Sequence, residues 1–73
     1  MNAHIIAILK KYEGERDLHK ADLEVFLNKP VGVGEHPGIG DVIEEKISRI
    51  EELDGKIDTI KKYYGTPRTT GNS

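Results

Sequence analysis

Residues 28–41 read Asn28-Lys29-Pro30-Val31-Gly32-Val33-Gly34-Glu35-His36-Pro37-Gly38-Ile39-Gly40-Asp41, and this stretch decides the fold. It holds four of the eight glycines and two of the three prolines of a 73-residue chain. Proline interrupts helical hydrogen bonding and glycine is a poor helix former, so no helix can continue through it. A charged, amphipathic segment lies on each side. The simplest fold is therefore a helix, a turn and a second helix folded back on the first.

The segment before the turn, about residues 2–28, has apolar residues at helical spacing. Its main stripe is Ile5, Leu9, Tyr12, Arg16, His19, Leu23 and Phe26. We interpret Arg16 and His19 as a polar layer in the helix contact, paired with Glu51, Glu52 or Glu15. A second stripe comprises Ala7, Gly14, Leu18, Ala21 and Val25, and it is widened by Ile6, Ile8 and Leu27. One partner helix cannot cover both stripes.

The pattern of residues after the turn predicts a helix over about residues 41–64. Asp41 is a favourable N-cap, and Lys61 and Lys62 suit the last turn before a glycine stop at Gly65. Acid and base side chains four residues apart predict a solvated outer face. The apolar seam is Ile43, Ile47, Ile50, Leu53, Ile57, Ile60 and Tyr64.

Folding the helices about the loop pairs positions whose numbers sum to about 69 in an antiparallel, coiled-coil-like hairpin. The predicted pairs are Ile5 with Tyr64, Leu9 with Ile60, Tyr12 with Ile57, Leu23 with Ile47, and Phe26 with Ile43. Gly14 then lies opposite Gly55, which suggests a close backbone approach or a shared bend. The fold class is all-α, with the hairpin over residues 1–65, a glycine-rich and proline-rich loop over 29–40, and a disordered polar tail over 66–73.

The small size of the chain predicts self-association. A domain of 73 residues buries too little surface to be comfortably stable alone, and without cysteine it has no disulfides. We therefore expect a homo-oligomer, with a dimer favoured, in which two hairpins complete a four-helix bundle. The expected oligomer interface comprises Ile5, Ile6, Ile8, Leu18, Ala21 and Val25.

Composition excludes several classes of protein. Both charge signs are mixed and the net charge is -2, so no polybasic or polyacidic partner is indicated. The longest apolar run, residues 5–9, is too short to span a bilayer and does not resemble a signal peptide. We expect a soluble cytoplasmic protein that does not bind membranes.

No pattern indicates an enzyme, a cofactor or a metal centre. No serine lies in a recognisable nucleophile context, and the loop glycines lack the strand and the lysine of a phosphate-binding loop. In the hairpin alignment His4, His19 and His36 lie far apart, so they are not expected to share a metal ion. We expect no catalytic residues.

The segment Pro37-Gly38-Ile39-Gly40 and the helix after it resemble the helix-hairpin-helix DNA-binding motif over about fourteen residues. The resemblance implies that the backbone around Gly38, Ile39 and Gly40 contacts a DNA phosphate. The chain departs from the motif at Glu44, where the family usually has a small residue, and the following helix lacks the usual basic side chains. Nucleic-acid binding through this turn or a bundle face is therefore the alternative function.

The loop is longer than antiparallel helices need, and it displays side chains at one end of the rod. We predict a partner-binding loop of Val31, Val33, Glu35, His36 and Ile39; the alternative is that Val31 and Ile39 fold back to cap the bundle. Residues 28–36, lying between Lys11-Tyr12-Glu13 and Ile60-Lys61-Lys62-Tyr63, resemble short helical proteins of cyanobacterial tailed phages related to the T-even myoviruses. That resemblance implies a phage accessory protein made in the bacterial host cytoplasm.

The sequence thus predicts a non-enzymatic protein-interaction or oligomerisation module, a structural adaptor that presents a glycine-rich loop to an unidentified protein.

Overall fold

The protein is a hairpin of two long α-helices, and the computed structural model describes residues 2–28 and 38–65. Helix α1 spans Ala3–Leu27 and helix α2 spans Ile39–Tyr64. The two helices pack against each other along their length, which confirms the all-α, two-helix fold. Residues 29–37 of the predicted loop 29–40 and the predicted disordered tail of residues 66–73 lie outside the described residues.

The first helix begins and ends close to the predicted positions. Asn2 has extended backbone geometry, and its Oδ1 accepts a hydrogen bond from the Ile5 N–H at 2.8 Å. This side-chain cap satisfies one of the free amides of the first turn. At the other end the Asn28 N–H donates to the Glu24 carbonyl at 3.0 Å. The polar residues that flank the apolar pattern therefore set both boundaries of α1.

The second helix begins earlier than predicted, so the assignment of Asp41 as N-cap is wrong. The N-cap is Gly38, which has a φ of 85°, and the Val42 N–H donates to the Gly38 carbonyl at 3.1 Å. Glycine adopts this left-handed geometry without steric cost, so the chain can enter the helix at Ile39. Asp41 instead lies in the first turn, where its carboxylate favours the helix dipole.

The antiparallel alignment is close to the predicted one. Cross-helix pairs of side chains join positions whose numbers sum to values between 64 and 74. Three of these pairs lie within one of the predicted sum: Arg16 with Asp54, Asp22 with Lys46, and Tyr12 with Lys56. The buried core is small and lies towards the open end of the hairpin, where both helices have their outer termini. It consists of Leu53, Ile57 and Ile60. Helix α1 contributes only half-buried side chains to this contact.

The predicted seam of α2 contains an error at Ile47. Its side chain is 53% exposed, and the neighbouring Lys46 is half-buried against α1. Positions 43, 46, 50, 53, 57 and 60 follow a regular heptad spacing, whereas a seam through Ile47 requires a break in that spacing. Tyr64, the last predicted seam residue, is also mostly exposed because α2 ends there. Helical geometry therefore prevails over the hydrophobicity of a single side chain.

The predicted close approach of Gly14 and Gly55 is also wrong. A Cβ atom added to either glycine meets nothing within 4 Å. Gly65 differs, because a Cβ there would lie 2.5 Å from the Lys61 carbonyl oxygen. Gly65 is therefore the glycine with a steric role, at the end of α2.

This contrast predicts opposite effects of one substitution at two positions. Gly55→Ala is expected to stabilise the hairpin by about 1 kcal/mol, because alanine is the better helix former and the space is open. Gly65→Ala is expected to destabilise the last turn of α2 by roughly 1 kcal/mol, because the added methyl group displaces the Lys61 carbonyl. Urea unfolding followed by circular dichroism at one protein concentration measures both. Equal effects at the two glycines would contradict the assigned roles.

Candidate functional site

The structure describes only one residue of the predicted partner-binding loop. Ile39 is half-buried and is the first residue of α2. The other four loop residues, Val31, Val33, Glu35 and His36, lie outside the described residues. The structure therefore leaves the loop site as a prediction.

The turn that resembles the DNA-binding hairpin lies at the start of α2. Gly38 occupies a left-handed conformation that favours glycine, and Ile39 and Gly40 form the start of α2. The first turn of α2 carries the acidic Asp41. A carboxylate at this helix N-terminus competes with a phosphate for the same backbone amides.

The six residues predicted to form the oligomer interface do not share one face of α1. With 100° between successive residues, Ile6 and Ile8 lie on opposite flanks of the contact with α2. Ile5 is half-buried beside α2. The remaining three, Leu18, Ala21 and Val25, lie on the side of α1 that faces away from α2. The structure therefore distributes the six residues over two surfaces of the hairpin, and their role in an oligomer interface stays a prediction.

The first surface is the outer face of α1, which lies about 160° around the helix from the contact with α2. Every residue of this face is exposed, and Leu18 and Val25 are 61% and 56% exposed. The spacing alternates between three and four residues over more than six turns, as in a coiled-coil seam. The outer face consists of His4, Ala7, Lys11, Gly14, Leu18, Ala21 and Val25. Sequence reasoning missed His4 and Lys11 because they are polar, although the heptad spacing contains both.

The second surface is an apolar groove of 530 Å³ between the helices at the open end of the hairpin. Its floor and walls come from the first three turns of α1 and the last four turns of α2. Lys56 lies at one rim, where its ammonium group is 5.2 Å from the centre of the Tyr12 ring. The apolar lining residues are Ile5, Ile8, Tyr12, Ile60 and Tyr64. Ile5 and Tyr64, a predicted pair, meet here.

A polar layer crosses the helix contact, as predicted, but its partners differ from those expected. Lys46 Nζ lies 3.2 Å from His19 Nδ1 and 3.3 Å from Asp22 Oδ2. Arg16 binds Asp17 at 3.0 Å and Asp54 at 3.7 Å. The predicted partners Glu51, Glu52 and Glu15 are therefore wrong for both residues. For His19 the reason is that Lys46, and not Ile47, lies in the helix contact.

A second ionic cluster surrounds Arg49. Its guanidinium donates to Glu52 at 2.7 Å and to Glu15 of α1 at 3.2 Å. The hydrogen bond from Arg49, followed by the charge of Lys56, lowers the pKa of Glu52. The stabilisation from the Glu52 carboxylate is therefore lost only as the pH falls through this lowered pKa. On the other flank, hydrogen bonding to Asp17 raises the pKa of Arg16.

These charged clusters have the properties of structural ion pairs. In residues 2–28 and 38–65 no group of three or more acidic, histidine or cysteine side chains is placed to bind a metal ion. Within the same residues no buried side-chain nitrogen or oxygen lacks a hydrogen-bond partner. Neither described helix has the length and apolar character needed to cross a bilayer.

Comparison with known proteins finds no matching family model, no matching curated protein and no matching solved structure.

Proposed function

We propose that this chain is a non-enzymatic protein-interaction module that works as a homo-oligomer, most simply a dimer. The observation that carries the proposal is the exposure of α1. None of its 25 residues is buried, although it has apolar side chains on two sides. A helix with apolar residues on two sides needs a partner on each, and α2 covers only one side.

The small core supports the same proposal. Three side chains are buried in the described part of the chain, and each contributes about 2 kcal/mol. Large apolar side chains of both helices remain exposed, including Leu27, Tyr63 and Tyr64. A second chain that covers part of this surface would supply the burial that a two-helix monomer lacks.

The adaptor role rests on the sequence. The long loop is proposed to hold a second, different protein, and the phage resemblance supports an accessory role in the cytoplasm of an infected bacterium. The four-helix arrangement expected from the sequence remains one way to pair two hairpins.

Sedimentation equilibrium tests self-association, with helicity measured by circular dichroism on the same samples. We expect a dimer whose helicity falls on dilution. Leu18→Lys places a charge on the outer face and is expected to raise the dimer Kd at least tenfold, equivalent to about 1.4 kcal/mol.

Ile47→Lys is the matched control, because it puts the same charge on an exposed aliphatic position of α2. It is expected to leave the dimer Kd within about threefold of the original value. A helical monomer at every concentration would refute the proposal.

Nucleic-acid binding through Gly38, Ile39 and Gly40 or through a bundle face is the second candidate, and the left-handed Gly38 favours it. Gel retardation at low and high salt, on duplex and single-stranded probes, tests it. We expect no shift even at low salt. A salt-sensitive shift that Gly38→Ala and Gly40→Ala abolish would establish the hairpin contact in place of the adaptor role.

A further inference from the structure

We propose that the outer face of α1 pairs with the same face of a second copy of this chain, antiparallel and about a two-fold axis at Gly14. This inference rests on the self-association proposed above, and it specifies the surface, the orientation and the register. It gives a layer of four helices with the two α1 helices in the middle, which differs from a four-helix bundle around one core.

The heptad spacing of the outer face points to a helix as its partner. Two rows of residues with heptad spacing run along α1. One row is half-buried against α2, and the other, the outer face, is exposed. A seam with a strict period of seven fits another helix with the same period, because both follow the same supercoil. A second copy supplies such a helix at equal concentration.

Small residues recur every seventh position, at Ala7, Gly14 and Ala21. Their lack of bulk allows two helix axes to approach at the lower end of the usual 8–10 Å. With the two-fold axis at Gly14, Ala7 lies opposite Ala21 of the second copy, and Gly14 lies opposite itself.

The larger side chains of the outer face fit this register. The Leu18 side chain packs between Ala7, Lys10, Lys11 and Gly14 of the second copy. These are the i, i+3, i+4 and i+7 positions that surround an inserted side chain in knobs-into-holes packing. Val25 falls over the small residues near the start of the second α1. Leu18 and Val25, which are exposed in the described part of the chain, would thus both be covered in the dimer.

The charges beside the outer face select the antiparallel orientation. In this register Lys10 lies near Asp17 of the second copy, and Lys11 lies near its Glu15. A parallel pair would instead bring Lys11, which lies within the seam, against its own copy, and repulsion between like charges disfavours that arrangement. Antiparallel pairing also places the two helix dipoles in opposite directions.

Single-cysteine variants test the register, because the chain has no cysteine of its own. Gly14→Cys places a thiol at the two-fold axis, where the Cα atoms of close helices fall within disulfide range. We expect the full-length Gly14→Cys chain to form a disulfide-linked dimer in air roughly tenfold faster than Gly55→Cys, because the thiols are held at high effective concentration. Gly55→Cys is a matched control, since both glycines are exposed helical positions with open space.

An equimolar mixture of Ala7→Cys and Ala21→Cys is expected to give mainly the mixed disulfide. Spin labels at Glu24→Cys give an independent readout that needs no covalent bond. Residues 14 and 24 are ten residues apart, so the labelled sites are expected about 30 Å apart along the axis in the antiparallel dimer. A parallel dimer would bring them to about 10 Å, the distance between neighbouring helices.

The outcomes separate this inference from the proposed function. If the protein sediments as a dimer but Gly14→Cys crosslinks no faster than Gly55→Cys, this inference is overturned and self-association stands. Preferred self-disulfides of Ala7→Cys, or a short Glu24 distance, would overturn the antiparallel orientation. A monomer by sedimentation would overturn both proposals.

Discussion

Leu53→Ala is expected to abolish most of the helical structure at micromolar concentration. Leu53 is 0% exposed and lies at the centre of a core that also contains Ile57 and Ile60. Truncating a buried leucine costs about 2–5 kcal/mol through lost transfer free energy and the cavity left behind. Such a loss is a large part of the total stability of a small domain. Circular dichroism against temperature and urea measures the effect.

Ile47→Ala is the control for this prediction, because the hydrophobic pattern of α2 places both residues in the same seam. Because the Ile47 side chain is 53% exposed, Ile47→Ala is expected to lower the free energy of unfolding by less than about 1 kcal/mol. A cost for Ile47→Ala equal to that of Leu53→Ala would show that α2 uses the irregular seam through Ile47. It would also remove Lys46 from the helix contact.

The second large effect is a gain in stability when the polar layer is replaced by apolar residues. The double variant His19→Leu with Lys46→Leu is expected to unfold with a free energy about 1–3 kcal/mol higher than that of the original chain. Half-buried charged and polar groups give up hydration for modest interactions, so well-packed hydrophobic replacements are often more stable. Asp22 loses its partner in this variant, but its side chain is 45% exposed, so water hydrates the carboxylate. Urea unfolding of both single variants and of the double variant measures the gain and the coupling between the two positions.

Lys61→Leu with Glu13→Leu is the matched control for the polar layer. It removes a cross-helix pair 3.8 Å apart whose side chains are 55% and 34% exposed. Exposed pairs contribute less than about 1 kcal/mol, so a small change of either sign is expected. A fall in stability of the His19 and Lys46 double variant would mean that the bond from Lys46 to Asp22 and His19 outweighs the desolvation of these groups.

The sequence was sufficient to predict the two helices and their antiparallel alignment. The glycine-rich and proline-rich stretch allows only one turn, and the aliphatic stripes fix the antiparallel pairing to within a few residues. The start of α2 was placed two residues late, because a capping aspartate was preferred to a glycine whose left-handed conformation becomes visible only in the structure. Local residue preference therefore located the helix but not its first residue.

The seam was harder to predict at its polar positions. Lys46 lies in the helix contact because the heptad repeat continues through position 46, while the hydrophobicity of Ile47 pointed to the neighbouring position. For the same reason Lys11 was left out of the outer face. Long basic side chains can cover apolar surface with their methylene groups, so a search for apolar residues alone misses them. Regular spacing is the signal that identifies such positions.

The shared groove beside Ile5 and Tyr64 has a consequence for chain connectivity. Since α1 begins and α2 ends at the same end of the hairpin, a short flexible linker can join Gly65 to Asn2. New termini can then be opened between Asn28 and Gly38. This circular permutation reverses the order of the helices and retains every contact between them, so the permuted chain is expected to fold to the same hairpin.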